Sequence, residues 1–343
     1  MSDTQQDALD SQQEGAPASP DLADYLPAGL NLPDDLRKGI PRLAKDPSAA
    51  AALEAAVQKV PTVHRLRLGD AREMDFLAPE SVHLVLTSPP YWTLKEYPPR
   101  EGQLGLMQDY DAFLRELDKV WRHCYRALVP GGRLVCVVGD VCLSRRQNNG
   151  RHMVMPLHAS IQEHCREIGY DNLAPIIWYK IANASYEVPN GSGFLGKPYE
   201  PNAIIKNDTE FILMQRKPRG YRAPTEAARL LSLIPEAEHR AWFRQVWTDV
   251  PGESTKDHPA PFPVELAQRL IRMFSFVGDT VLDPFVGSGT TSAAAARWGR
   301  HSVGVELDPD YFRFAHKRMQ RCAQGLFSNV TVQALAPEAE RGR

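Results

Sequence analysis

The chain has 343 residues, 43% of them hydrophobic, and a net charge of -2, which suits a globular protein with one large core or two modest ones. Its apolar stretches are far shorter than the roughly 18 residues that a membrane span needs, and residues 1–21 lack the basic and apolar segments of a secretory signal. The net charge excludes a wholly basic nucleic-acid binder but is compatible with a local basic groove. We therefore expect a cytoplasmic protein.

The first 40 residues are rich in Gln, Asp, Ser, Ala and Pro and contain few large apolar side chains. Because so little burial would offset the entropy of ordering them, they are predicted to be disordered. The next segment, DPSAAAALEAAVQKV (46–60), is predicted to form a helix with Asp46 as its cap and Pro47 at its first position. One domain is expected to span residues 41–330, followed by a flexible tail over 331–343.

Short apolar stretches alternate with helical patterns from residue 63 onward. The predicted strands lie in VHRLRLGD, VHLVLT, GGRLVCVVGD, IIWYK, EFILMQRK, VLDPFVGSGTT and HSVGVELD. The predicted helices include an amphipathic one over 110–128 and an alanine-rich one over 290–298 that Gly299 ends. Strands that alternate with helices indicate an α/β fold with a doubly wound parallel sheet.

The cysteines give no sign of cross-links or of a metal. They are Cys124, Cys136, Cys142, Cys165 and Cys322, and they form no CxxC pair and have no nearby His at zinc spacing. This pattern argues against a disulfide framework and against a structural zinc, so no metal site is expected. The cysteines are expected to lie in the core.

The stretch VLDPFVGSGTT (281–291) predicts a strand-to-helix turn in which two glycines let the backbone turn tightly around a ligand. No Lys follows the second glycine, as it would in a P-loop, and the third glycine of a dinucleotide fingerprint is missing. The ligand therefore need not carry a pyrophosphate. The next strand ends in Glu306, where an acidic side chain typically accepts hydrogen bonds from ribose hydroxyls.

A ligand with a ribose, an adenine and a positive charge, but no phosphate, fits S-adenosylmethionine. We expect Asp283 to bind its ammonium group, Glu306 its ribose hydroxyls and Asp70 its adenine amino group, through charge-assisted hydrogen bonds. Each of these carboxylates could instead cap a helix, Asp70 above all.

Three motifs, TSPPYW (87–92), HPAPFPVEL (258–266) and DPFVGSGTT (283–291), occur in this order along the chain. Over roughly residues 62–322 the chain resembles the amino-methylating DNA methyltransferases of the beta arrangement, in which the catalytic tetrapeptide precedes the cofactor loop. The resemblance implies a single Rossmann-like S-adenosylmethionine-dependent methyltransferase domain with circularly permuted motif order and a mixed seven-stranded sheet. In that sheet, IIWYK and EFILMQRK would be the last two strands.

The resemblance also implies that residues 258–266 fold over the methionine end of the cofactor, with Pro263 opening a helix. With the three carboxylates, the expected cofactor contacts are Asp70, Ala71, His258, Phe262, Asp283, Pro284, Phe285, Gly287, Gly289, Thr290, Thr291, Glu306 and Leu307.

The tetrapeptide Ser88-Pro89-Pro90-Tyr91 is implied to be the catalytic element. An exocyclic amino group is a poor nucleophile because its lone pair is delocalised into the ring of the base. Ser88 and the carbonyl of Pro89 are expected to accept its two protons, while the prolines hold these acceptors rigidly. Tyr91, together with Trp92, is expected to stack on the extruded base. The absence of a Pro-Cys dipeptide agrees with amino rather than ring-carbon methylation.

DNA contacts are expected from insertions at about 141–210 and 218–254, the second being the recognition element. Residues 141–222 hold eleven Lys and Arg against seven Asp and Glu, an excess that favours phosphate binding. Arg145, Arg146 and Arg151 lie in a stretch rich in Asn and Gly that could follow phosphates. Alternatively, these arginines are ordinary solvated surface.

The sequence thus predicts a methyltransferase acting on the N4 amino group of cytosine in double-stranded DNA. The first alternative is the adenine N6 amino group, for which the family more often has Asp in place of Ser88. A serine hydroxyl can donate to a ring nitrogen, which an ionised aspartate cannot, and this favours cytosine. Further alternatives are a catalytically silent DNA-binding regulator and an RNA or protein substrate. A cognate restriction endonuclease and a homodimer are both compatible with the resemblance.

Overall fold

The computed structural model describes residues 20–30, 33–93, 99–146, 148–180, 207–252, 263–324 and 329–335. The strands are β1 (Thr62–Leu68), β2 (Val82–Thr87), β3 (Leu128–Val138), β4 (Val141–Leu143), β5 (Met153–Met155), β6 (Asp171–Tyr179), β7 (Thr209–Arg216), β8 (Val246–Trp247), β9 (Thr280–Asp283), β10 (His301–Glu306) and β11 (Val330–Leu335). The α-helices are α1 (Leu36–Leu43), α2 (Pro47–Val57), α3 (Tyr110–Ala127), α4 (Leu157–Ile168), α5 (Glu226–Leu231), α6 (Glu236–Trp242), α7 (Val264–Phe274), α8 (Thr290–Arg297) and α9 (Pro309–Gln324). Short 3-10 turns cover Leu22–Tyr25 and Leu104–Leu106. Within these ranges, no helix combines the length and the apolar character that crossing a membrane requires.

The main sheet is mixed, as expected, but it has nine strands in the described residues rather than seven. Their order is β11-β1-β10-β9-β2-β3-β7-β6-β8. β7 runs antiparallel to both β3 and β6, whereas the other neighbouring pairs are parallel. The two additional strands, β8 and β11, lie at opposite edges. β8 is only two residues long, too short to leave a pattern in the sequence.

Alternate residues of the central strands face opposite layers of helices. On one face, Leu134 and Cys136 of β3 belong to a buried cluster with α3 and α4, in which Trp121 is fully buried. On the other face, Val135 and Val137 pack with α7 and α8. Because helices cover both faces, the central strands are apolar on both sides, which explains their nearly continuous hydrophobic sequences.

The described part of the N-terminal segment is more ordered than its composition predicts. α1 begins at Leu36, inside the 40 residues that were expected to be disordered, and Leu22 and Tyr25 pack against the same buried cluster as α2. Asp46 caps α2 as predicted. The tail is also shorter than expected, because β11 pairs with β1 as far as Leu335. A few apolar side chains are enough to order this N-terminal segment, because they pack on an apolar surface that the rest of the domain already provides.

Three of the cysteines lie in the core, as expected. Cys124, Cys136 and Cys165 are buried, whereas Cys142 and Cys322 are partly exposed. Burial raises the pKa of the Cys124 and Cys136 thiols, which keeps them protonated and unreactive.

Candidate functional site

The carboxyl ends of four neighbouring parallel strands meet at one edge of the sheet. These strands lie in the order β1, β10, β9 and β2. The chain proceeds from β9 to β10 on one side and from β2 to β3 on the other, so the direction of winding changes between β9 and β2. Open α/β sheets bind their ligands outside the strand ends at such a switch point.

A cleft lies at this edge of the sheet, and it brings together residues from all four strand ends. The predicted cofactor contacts that line it are Asp70, Ala71, Pro284, Phe285, Gly287, Thr290, Glu306 and Leu307. Ser88 and Pro90 of the tetrapeptide line the same cleft. Gly289 and Thr291 do not line it; they lie at the start of α8, next to Thr290, which does. His258 and Phe262 lie outside the described residues.

Glu306, the last residue of β10, is fixed by two backbone groups. Its Oε2 accepts from the N–H of Gly287 at 2.8 Å, and its Oε1 accepts from the N–H of Asp308 at 2.9 Å. Gly287 has a φ of 50°, a left-handed conformation that favours glycine. Burial raises the pKa of Glu306 to about 7, against the opposing effect of the two N–H donors. Each carboxylate oxygen retains a lone pair that can accept from a ligand hydroxyl.

Asp70 lines the cleft and is held by a neighbouring arginine. Its Oδ1 accepts from the backbone N–H of Arg72 at 2.8 Å, and the Arg72 guanidinium donates to both carboxylate oxygens. Arg72 also pairs with Glu116 of α3. No helix follows Asp70 directly in the described residues, so the alternative of a helix cap does not apply. Arg72 therefore orients Asp70 and shares it with any ligand.

Asp283 does not line the cleft, contrary to the expectation that it binds the cofactor ammonium directly. The residue is only 2% exposed. Its Oδ1 accepts from the Thr87 hydroxyl at 2.7 Å and the Phe285 N–H at 3.1 Å, and its Oδ2 accepts from the Thr291 hydroxyl at 2.6 Å. Burial raises its pKa to about 6. Asp283 thus joins β2, the loop after β9 and α8.

Tyr91 is buried, so it does not offer a free ring surface for base stacking. It is 3% exposed, and its hydroxyl accepts from Ser88 Oγ at 3.1 Å. The same hydroxyl lies 3.1 Å from Glu210 Oε2 and 3.3 Å from the carbonyl oxygen of Val137, both of which are acceptors. Stacking on a base would require this side chain to leave its pocket.

Trp92 is also buried, so the second expected stacking residue is not exposed either. It is 8% exposed and packs edge-on against Tyr110, with ring centroids 5.1 Å apart. Its φ of 45° is unusual for a large side chain. The bend at Trp92 directs the indole into the core.

One part of the cleft wall was missed by sequence reasoning. Gly102, Gln103 and Leu104 line the cleft beside Asp70. Arg100 fixes this segment through a 2.6 Å bond from its Nε to Asp308 Oδ2, close to the end of β10. No motif marks these residues, because they reach the site only through contacts with distant parts of the chain.

The three arginines expected to contact DNA lie together on one hairpin. β4 and β5 form a separate antiparallel pair, and Arg145, Arg146 and Arg151 are exposed in the turn that joins them. Met153 and Val154 of β5 are exposed as well. The hairpin is not part of the cleft wall.

Most of the other expected DNA-contacting segment, 218–254, is built into the domain. Trp242 of α6 and Trp247 of β8 are buried in the cluster beneath α7. Leu230 and Leu231 of α5 join the N-terminal cluster. In the described part of residues 218–254, the exposed large apolar side chains are Tyr221, Phe243 and Val246. The segment therefore has a structural role whatever else it contacts.

The chemistry of the cleft fits a cationic ligand with hydroxyl groups. Among the described residues that line it, Asp70 and Glu306 are acidic and none is Lys or Arg. Carboxylates accept well from hydroxyl and amino groups and repel phosphates. The residues present thus suit S-adenosylmethionine better than a nucleotide phosphate.

Comparisons with known proteins agree with this arrangement. The Type II methyltransferase M.MjaI of Methanocaldococcus jannaschii is 39% identical over 282 residues, which cover 73% of this chain and 88% of that protein. M.MthZI of Methanothermobacter thermautotrophicus is 35% identical over 272 residues, covering 73% and 74%. The putative DNA modification methylase TTHA0409 of Thermus thermophilus, solved in complex with S-adenosyl-L-methionine, is 53% identical with a TM-score of 0.65. That match covers 80% of this chain and 100% of the other.

A more distant solved structure shares the fold. The cytosine-N4-specific PvuII DNA methyltransferase is 18% identical with a TM-score of 0.54, covering 80% of this chain and 98% of that one. Residues 82–317 match the model of the N6/N4 methyltransferase family, described as DNA methylase. Because this match spans more than half of the chain, the protein belongs to the N6/N4 family of DNA methylases.

Proposed function

We propose that the protein transfers a methyl group from S-adenosylmethionine to the N4 amino group of cytosine in double-stranded DNA. As a member of the N6/N4 family, the chain is an S-adenosylmethionine-dependent DNA amino-methyltransferase. The choice of base is the proposal. The observation that carries it is that the neutral side chain of Ser88 lines the same cleft as Asp70 and Glu306.

The residues of the cleft divide into those that would touch the cofactor and those that hold them. Glu306 would accept from the ribose hydroxyls, and Asp70, held by Arg72, from the adenine amino group. Asp283 supports the loop after β9, which carries Pro284, Phe285 and Gly287 of the cleft wall. When bound, S-adenosylmethionine supplies a methyl group on a sulfonium, which is already activated, so no covalent enzyme intermediate is required.

Ser88 and Pro89 would orient the amino group of the target base. The Ser88 hydroxyl and the Pro89 carbonyl each accept one amino N–H, which directs the nitrogen lone pair toward the methyl carbon. The amino nitrogen aligned by Ser88 and Pro89 would accept the methyl group of the S-adenosylmethionine held by Asp70 and Glu306 and lose one proton to water, while the carbon–sulfur bonding electrons stay on sulfur. Rigid prolines keep the acceptors in place during this step.

The first residue of the tetrapeptide supports cytosine. The family resemblance associates Asp at this position with the adenine enzymes, and this chain has Ser88. Methylation of the adenine N6 amino group is the alternative. Digesting methylated DNA to nucleosides and identifying the product by mass spectrometry tests the proposal: 4-methylcytosine supports it, and 6-methyladenine as the main product refutes it.

The same reaction tests whether the chain is an active enzyme or a silent regulator. A silent regulator would bind DNA without transferring labelled methyl groups. Comparing transfer to DNA, RNA and protein in parallel identifies the substrate class.

The biological partners are part of the proposal. M.MjaI and M.MthZI are named Type II methyltransferases, which supports a role in restriction and modification beside a cognate endonuclease. Protection of methylated DNA against that endonuclease would test the pairing. Light scattering on the purified protein would test for a homodimer.

A further inference from the structure

A chain of four side chains leads from the cleft wall into the sheet. Ser88 Oγ donates to the Tyr91 hydroxyl, which lies 3.1 Å from Oε2 of Glu210. The other carboxylate oxygen, Oε1, accepts from Lys180 Nζ at 2.6 Å. Glu210 is the second residue of β7, and Lys180 directly follows β6. Because β7 runs antiparallel to β3, its first residues lie at the edge of the sheet where the tetrapeptide begins.

We propose that Glu210, held by Lys180, is a positioning residue that commits the Ser88 hydroxyl to act only as an acceptor toward the target amino group. The inference rests on the proposed function in one respect, which is that Ser88 faces the base.

The direction of the hydrogen bonds follows from counting protons. Tyr91 has one hydroxyl proton, and both Glu210 Oε2 and the Val137 carbonyl oxygen can only accept. The carboxylate is the stronger acceptor of the two, so we assign the Tyr91 proton to Glu210. With that proton committed, the Ser88–Tyr91 bond uses the proton of Ser88. The Ser88 oxygen is then left with lone pairs for the cleft.

Burial keeps this arrangement in place. Tyr91 is 3% exposed and Glu210 is 8% exposed, so neither group can exchange its partner for water without opening the core. A buried carboxylate without a cation would be strongly destabilising, and Lys180 supplies the cation. Gly139 leaves room for the carboxylate, since a Cβ at that position would lie 3.2 Å from Glu210 Cγ.

The consequence concerns how the base is selected. A hydroxyl that only accepts will bind an amino N–H of cytosine or adenine equally, and it will repel a ring nitrogen, which is itself an acceptor. The idea that Ser88 favours cytosine by donating to a ring nitrogen is therefore not supported by this network. Ser88 therefore supports cytosine only through the family association of serine with this position, and the groups that distinguish the two bases by direct contact lie elsewhere around the target.

The test compares Tyr91→Phe, Glu210→Gln and the double variant by single-turnover methyl transfer to DNA. Each single variant should transfer the methyl group about tenfold more slowly or worse, and the double variant should be no slower than the slower single variant. S-adenosylmethionine affinity, measured by calorimetry, should stay within about twofold of the wild type because neither residue lines the cleft. The proposal would be overturned if the double variant lost rate by the product of the two single losses, or if Glu210→Gln transferred the methyl group at the wild-type rate.

Lys180 provides a second test that does not remove the carboxylate. Lys180→Arg keeps the ion pair and should retain most of the transfer rate, whereas Lys180→Met should slow transfer as Glu210→Gln does. Equal rates in these two variants would contradict the proposal even if the Glu210 variant failed to fold. Wild-type protein that transfers no methyl group to DNA would instead refute the proposed function.

Discussion

The hydroxyl of Thr87 donates to the carboxylate of Asp283 at 2.7 Å, and this buried bond joins the strand before the tetrapeptide to the strand before the glycine loop. Thr87 ends β2 immediately before Ser88, and Asp283 ends β9 immediately before the glycine loop. The bond therefore crosses the sheet at the switch point between β9 and β2. It ties the position of the tetrapeptide to that of the loop that lines the cofactor cleft.

This bond leads to a prediction for Asp283→Ala. The substitution leaves three donors without their acceptor, namely the Thr87 and Thr291 hydroxyls and the Phe285 N–H. We expect the free energy of unfolding to fall by about 1–3 kcal/mol. Cofactor affinity should fall as well, although the side chain does not line the cleft, because the loop loses its support. Chemical denaturation and calorimetry measure the two effects.

Asp75→Ala is the matched control, since the Asp75 carboxylate is exposed. It should change neither the free energy of unfolding nor the cofactor affinity. If Asp283→Ala kept full stability and weakened only cofactor binding, direct contact with the ammonium group would be the better account.

Glu306 predicts a pH dependence of cofactor binding. Its pKa is raised from 4.5 to about 7 by burial, whereas ribose hydroxyls donate best to the ionised form. Affinity should therefore rise as the pH increases through about 7, and binding at that pH should release protons. Calorimetry in two buffers with different ionisation enthalpies detects the release. Glu306→Gln should bind the cofactor more weakly and should not show the proton release that comes from Glu306. Unchanged proton release in that variant would contradict the role of Glu306 in binding the ribose.

The same group affects the stability of the ligand-free protein. Between pH 4.5 and about 7 the folded state holds a proton on Glu306 that the unfolded state has lost. Stability contributed by Glu306 is therefore complete below pH 4.5 and decreases as the pH rises through the raised pKa. Glu306→Gln should remove this decrease, which thermal unfolding across the pH range can show.

The sequence predicted the parts of the site that are local. The strand ends at Thr87, Asp283 and Glu306, the glycine loop and the helix after it follow from short patterns, because turns and strand termini depend on neighbouring residues. It could not predict that Asp283 faces inward to two hydroxyls, since one of them, on Thr87, is distant in sequence. The same holds for Glu210, which has the pattern of an ordinary strand residue.

The N-terminal segment shows a second limit of composition. Its few apolar residues are too sparse to form a core of their own, which is why the composition indicated disorder. Leu22, Tyr25 and Leu36 become ordered by packing against a cluster that includes Leu53 and Trp298 and is supplied by the rest of the domain. Composition alone does not reveal such a preformed surface.

Truncation of residues 1–40 should therefore lower stability rather than leave the protein unchanged. The deletion removes Leu22, Tyr25 and more than half of α1 from the cluster. Leu43→Ala in the full chain should act in the same direction, by about 2–5 kcal/mol, whereas Arg37→Ala, at an exposed position of α1, should have little effect. Thermal unfolding of the three variants checks this, and an unchanged transition in the truncated protein would contradict it.

The hairpin of β4 and β5 predicts an electrostatic contribution to DNA binding. Replacing Arg145, Arg146 and Arg151 together with Ala should weaken binding and reduce its dependence on salt, by about one unit of slope for each lost phosphate contact. Fluorescence anisotropy over a salt series measures the slope. A variant in which the exposed Arg37, Arg42 and Arg115 are replaced with Ala has the same net charge and serves as the control, because all three lie outside the expected DNA-contacting segments. If the salt dependence of DNA binding were unaltered in the hairpin variant, these arginines would be solvated surface residues that do not contact phosphates.

The last prediction concerns Ser88, which lines the cleft and donates its proton to Tyr91. An acceptor that aligns the amino group acts mainly in the transition state, so Ser88→Ala should lower kcat about tenfold or more while changing cofactor affinity little. Ser88→Thr retains the hydroxyl and should keep more of the activity than Ser88→Ala. Single-turnover rates and calorimetry separate the two quantities. A loss of cofactor affinity equal to the loss in rate would mean that Ser88 contributes to binding, and the role of the tetrapeptide in orienting the amino group would then have to rest on the Pro89 carbonyl.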